Sequence, residues 1–190
     1  VVYTPAIPKD HQELNYYFNN DYTIVKRSDV LGAITAGGFN ICVAGTHGKT
    51  TTSTMVAHIL RHSGYGCNAF LGGIAVNYNS NFWSSEKNVC VAEADEYDRS
   101  FLKLSPDVAI ISSMDADHLD IYGKHEAVLE SFREYVSQID PEGVLFMRAG
   151  LSVASSTQAK VYTYALDSGD YYARNIRIEK ARFVFDMVYP

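Results

Sequence analysis

Residues Gly45-Thr46-His47-Gly48-Lys49-Thr50-Thr51 break an apolar run, Phe39 to Ala44, and lead into a helical pattern from Thr50 to Ser63. A glycine-rich loop between a strand and a helix turns backbone N–H groups toward an anion. The helix dipole adds roughly half a positive charge at the same point. Lys49 is placed to reach the outer phosphates of a nucleotide, and the Thr50 hydroxyl to face Mg²⁺. The generic phosphate-loop spacing asks for glycine at position 43, where Val43 stands, but the required strand before and helix after are both present. The loop is therefore read as a phosphate site.

A phosphate site that uses a metal needs hard oxygen donors at neighbouring strand ends. The stretch NVCVAEADEYD sets Glu93, Asp95, Glu96 and Asp98 past an apolar strand, Asn88 to Ala92. Asp98 reads as one of a solvated charge run. Glu93 directly follows the strand and is expected beside the loop in a parallel sheet. A third strand, Val108 to Met114, runs into Asp115, Asp117, His118 and Asp120, which gives His118 an expected metal or phosphate role. His58 and His62 have the spacing of a helical metal pair, but no acid and no third ligand lie nearby, so they read as surface residues.

The elements that must position these groups alternate. Strand-like runs at Phe39–Ala44, Asn88–Ala92, Val108–Met114 and Val144–Met147 lack polar alternation, as expected of strands covered on both faces. Helical patterns at Thr50–Ser63 and His125–Ile139 fall between them, the second with Val128, Leu129, Phe132 and Val136 on one side. The expected fold is α/β: a doubly wound, mostly parallel sheet of phosphate-loop NTPase type. At the C-terminal end, Ala173–Ile178 and Ala181–Tyr189 alternate around Glu179-Lys180, predicting an antiparallel hairpin. At the start, Lys9–Asn20 and Ser28–Ala36 read as helices, the latter capped by Ser28, and Tyr22–Lys26 as a strand. Residues 1–36 have the character of a domain's tail, Gly37-Gly38 breaks the chain, and the pattern stops midway at Pro190. The expectation is a piece cut at both ends.

Bulk properties exclude several classes. A net charge of −6 provides no basic face for nucleic acid. No window is apolar for long enough to span a bilayer. Cys42, Cys67 and Cys90 are odd in number and widely spaced, the usage of a reducing cytosol, and read as buried thiols.

GTHGKTTT, AEADEYDRSFL and DADHLDIYG, in this order, resemble the Mur ligases of peptidoglycan synthesis, from about Tyr3 to the end. The family's own loop lacks the glycine at position 43. The resemblance implies that the amides from Gly45 to Thr51 and the Lys49 side chain hold the ATP phosphates. It also implies that Thr50 and Glu93 serve one Mg²⁺ and His118 a second. It implies three domains: residues 1–36 would end the UDP-binding domain, 37–190 would be most of the central ATP-binding domain, and the amino-acid-binding domain would be missing. Some relatives carry a carbamylated lysine on the helix after the histidine; HEAVLESFREYV has no lysine, and no such role is carried over. The implied reaction is cytoplasmic and joins the lactyl carboxylate of UDP-N-acetylmuramate to L-alanine. Gly72 and Gly73 would then let the muramyl substrate approach the backbone. Two alternatives stay open: ligation of a ready-made tripeptide to the same sugar nucleotide, and a phosphate-loop ATPase that switches a partner. The isolated piece is expected to be catalytically inactive.

Overall fold

A computed structural model describes residues 1–115 and 122–190. The chain opens with β1 (Val2–Tyr3), α1 (Gln12–Asn19), β2 (Val25–Lys26) and α2 (Arg27–Thr35). Helix α2 starts one residue earlier than its sequence suggested. The Asp29 carboxylate accepts the Lys26 N–H at 3.3 Å, so Asp29 closes the helix start and Ser28 is buried instead of capping.

A seven-stranded sheet follows. It comprises β3 (Phe39–Ala44), β4 (Asn68–Ala75), β5 (Ser80–Trp83), β6 (Val89–Ala94), β7 (Val108–Ile111), β8 (Val144–Arg148) and β9 (Lys160–Tyr164), in the order β5-β4-β6-β3-β7-β8-β9. Only the β4–β5 pair is antiparallel. Successive residues of one strand face opposite ways, and the sheet uses this to build two cores. Cys90, Ala92 and Ala94 of β6 join the core beneath α4 (His125–Ser137), with Phe132, Tyr135 and Val136. Val89 and Val91 join the core beneath α3 (Lys49–His62), with Ala57, Leu71 and Trp83. The expected doubly wound, mostly parallel sheet is therefore present.

Strands β4, β5 and β9 went unread in the sequence. Gly72-Gly73 inside β4 imitates a turn, and β9 follows a polar run. The hairpin β10 (Tyr172–Glu179) and β11 (Arg182–Val188) forms as expected, with its turn moved one residue on, to Lys180-Ala181 at φ 48° and 59°. All three cysteines are free and buried, and burial pushes the Cys90 thiol up to about 12. Among the described residues no helix is long and apolar enough to cross a membrane.

Candidate functional site

Strand β3 is central, and its carboxyl end is flanked by β6 and β7 in register: Val43 lies opposite Glu93, and Ala44 opposite Ile111. Three chain segments therefore leave the sheet side by side. Gly48 caps α3 at φ 82°, a left-handed conformation that glycine adopts without the Cβ penalty other residues carry. The loop is held from β7's exit. Ser113 accepts the His47 N–H at 2.8 Å, and its hydroxyl lies 2.9 Å from that of Thr46. Thr46 in turn accepts the Asp115 N–H at 3.1 Å, and Ser112 donates to the His47 carbonyl. These bonds fix the loop independently of any ligand, a preorganisation that anion binding requires.

Glu93 lies inside β6, one residue before its end, and not just beyond the strand as its apolar run suggests. Thr50, in the first turn of α3, donates its hydroxyl to both Glu93 oxygens, at 3.1 and 2.9 Å. The Gly72 N–H donates to the same carboxylate at 2.8 Å. A Cβ at Gly72 would collide with that carboxylate, so glycine here lets Glu93 keep this position against the β4 backbone. One carboxylate and one hydroxyl, both hard oxygens, suit Mg²⁺, which takes few protein ligands and fills its octahedron with phosphate and water. Among the described residues there is no group of three His, Cys, Asp or Glu placed to hold a metal ion.

Lys49 points into the same space but is already engaged. Its ammonium donates to both oxygens of Glu96, at 3.0 and 2.7 Å, and lies 3.8 Å from Asp95. Gly45, Thr46, His47, Gly48, Lys49, Thr50, Thr51 and Glu93 are thus gathered at one sheet edge. His118 lies outside the described residues, as do Asp117 and Asp120. His58, read as a surface residue, is half-buried against the Tyr78 hydroxyl at 2.7 Å.

Two hollows meet at Glu93. One, of about 230 Å³, is lined by Thr46, Gly48, Lys49, Thr50, Thr51 and Glu93. The other, about 290 Å³, has Glu93, Asp95 and Gly72 on its wall together with Arg27, Phe70 and Phe82. Sequence reasoning missed Ser113 and Arg27, and it named Glu96 only as one of four acids without pairing it with Lys49. The polar pair Ser112-Ser113 at the end of an apolar strand was a usable signal for the first. Glu96 was hidden within a run of acids, and nothing in the sequence marked Arg27.

Comparison with known proteins bears on the family and the fold. Residues 43–190 match the Mur ligase middle domain. The chain is 53% identical over 193 residues to the UDP-N-acetylmuramate–L-alanine ligase of Phocaeicola vulgatus, covering 100% of this chain and 42% of that relative. It therefore spans less than half the length of the relative it matches. A crystal structure of UDP-N-acetylmuramate–alanine ligase from Thermotoga maritima superposes with a TM-score of 0.83 at 27% identity, covering 98% of this chain and 43% of that one. A structure of UDP-N-acetylmuramate:L-alanyl-γ-D-glutamyl-meso-diaminopimelate ligase from Neisseria meningitides reaches 0.86 at 22% identity, covering 99% and 64%, a likeness of fold alone.

Proposed function

This chain belongs to the Mur ligase family, and from that premise we propose that it carries the carboxylate-activating site of the ligase that joins UDP-N-acetylmuramate to L-alanine. In this reading residues 1–36 close the UDP-binding domain and 37–190 form most of the ATP-binding domain. The whole enzyme works in the cytoplasm as part of peptidoglycan synthesis.

The chemistry explains the parts. A carboxylate resists amines because its carbon is a poor electrophile and its leaving group would be oxide. The lactyl carboxylate oxygen attacks the γ-phosphorus of ATP, the bond to the β-phosphate oxygen breaks, and ADP leaves. The alanine nitrogen then attacks the acyl carbon, the carbon–oxygen bond breaks, phosphate departs, and the ammonium proton goes to solvent. The first step brings two anions together, so fixed positive charge must precede it. The loop amides from Gly45 to Thr51 receive the phosphates at the α3 N-terminus, with Lys49 against the outer ones. Thr50 and Glu93 hold Mg²⁺, which when bound offsets phosphate charge, and His118 is proposed for a second ion. The acceptor approaches through the larger hollow, where Gly72 lies on the wall and Arg27 faces it, and Gly72 with its neighbour Gly73 would admit it to the backbone.

The observation that carries this reading is Thr50, Lys49 and Glu93 meeting at one sheet edge between two adjoining hollows. The 53% identity favours L-alanine over a tripeptide as the incoming amine. The test is ADP release by the full-length polypeptide. Release should require UDP-N-acetylmuramate and L-alanine together. Release supported by tripeptide in place of alanine would assign the recycling reaction, and release with no acceptor acid would leave an ATPase.

A further inference from the structure

Glu96 is 1% exposed, yet its carboxylate is spent on the one ammonium that has to meet a triphosphate. A charge so far from water persists when it is paired and held. Its main chain is held too: the Glu96 carbonyl accepts the Tyr122 hydroxyl and, at 2.9 Å, the Arg99 N–H, while the Phe101 N–H bonds to the Asp95 carbonyl at 2.8 Å. Lys49 is 13% exposed, so the pair sits in a setting where water screens little.

An anion pinned here has two opposed effects. It fixes a flexible four-carbon side chain in one place, which lowers the cost of ordering that side chain in the transition state. It also repels the phosphates that the same lysine attracts. We infer that Glu96 is a positioning residue that holds Lys49 at the mouth of the phosphate loop and gives up part of the nucleotide affinity to do so. The inference rests on the nucleotide reading of the loop and deepens it.

The two effects separate in the variant Glu96→Gln, which keeps the shape and removes the charge. In the full-length polypeptide, a fluorescent ATP analogue is titrated and ADP release is followed at saturating substrates. Glu96→Gln should bind the nucleotide about tenfold tighter, while kcat falls by about 10- to 100-fold. Glu96→Asp restores the charge on a shorter stem and should recover nucleotide affinity to near the native value and part of kcat. Parallel loss of affinity and kcat, with a lower melting temperature, would reveal a merely structural residue and overturn the inference, as would an unchanged kcat. If the glutamine variant fails to fold, Glu96→Asp decides alone: reduced kcat at undiminished affinity supports the inference, and joint loss overturns it. Lys49→Ala in the same titration separates the two levels. Retained affinity there defeats the phosphate-loop reading itself, whereas lost affinity with no opposed changes at Glu96 defeats only this inference.

Discussion

In the proposed reading Lys49 and Glu93 divide the work of one site: the first would supply fixed positive charge, the second the oxygen frame for a metal. Replacing either with alanine in the full-length polypeptide should reduce the rate of ADP formation on the order of 10²- to 10³-fold, as loss of a preorganised electrostatic group does elsewhere. Near-native turnover by either variant would sink the assignment. Gly72 provides a sharper test, because it touches Glu93 and carries no functional group of its own. A Cβ there lands on the Glu93 carboxylate, which must move and give up the Gly72 N–H and Thr50 bonds. Gly72→Ala should therefore raise the Mg²⁺ concentration needed for half-maximal activity, on the order of tenfold. The Cβ at Gly73 meets only the Thr50 methyl at 3.1 Å, so Gly73→Ala should raise that requirement less. Equal magnesium curves for native and Gly72→Ala protein would refute the close-approach argument.

At the scale of elements, the turn after β6 deserves the most weight, since residues 97–103 carry the Glu96 backbone into the core. Phe101 is fully buried there, stacked on Tyr135 of α4 at 4.7 Å and edge-on to Phe132 at 5.3 Å. Phe101→Ala should cost about 3–5 kcal/mol of stability by denaturant unfolding, because it leaves a cavity between two rings. The same variant should lower kcat beyond what partial unfolding explains, since the turn that places Glu96 loses its anchor. A stability loss without any kcat change would detach the packing from the site. These elements also mark what could be read in advance. Strands β3, β6 and β7 were legible because burial on both faces leaves an unbroken apolar run, and the strand-loop-helix at Lys49 was legible because its glycines serve a known geometry. Strand β4 was not: its Gly-Gly lies against Glu93 and Thr50 packed from neighbouring elements, a long-range setting that no local pattern carries. The site's oxygen donors were legible as residue types, but the partner of Lys49 was not. Three acids lie within four positions, Glu93, Asp95 and Glu96, and the sequence alone does not say which turns toward the lysine.

For the whole molecule, the question is how residues 1–36 stay in register with the proposed phosphate site. Two ion pairs join them to the turn after β6: Lys26 to Asp98 at 2.7 Å and Asp29 to Lys103 at 3.0 Å. Gly32 of α2 lies against the Lys103 carbonyl, so the backbones approach closely as well. The Lys103 ammonium, hydrogen-bonded to Asp29, holds that carboxyl below its usual 3.8, so its contribution is present above about pH 3.8 and is lost as pH falls through the lower folded value. The Asp98 carboxylate, hydrogen-bonded to Lys26, raises that ammonium above 10.5, so its contribution is complete below about pH 10.5 and is lost as pH rises through the higher folded value. Docking should therefore be flat with pH across the neutral range and weaken at both extremes. Because each pair is more than a third exposed on at least one side, salt should weaken both. The expected result is faster proteolytic cleavage within residues 1–36 in the double variant Lys26→Ala, Lys103→Ala, with a milder increase for native protein in high salt. Nucleotide affinity should stay unchanged in that variant, since neither lysine lines the hollow proposed for the phosphates. Cleavage at the native rate would mean that apolar packing alone holds the segment, and that the charges beside the acidic turn are incidental.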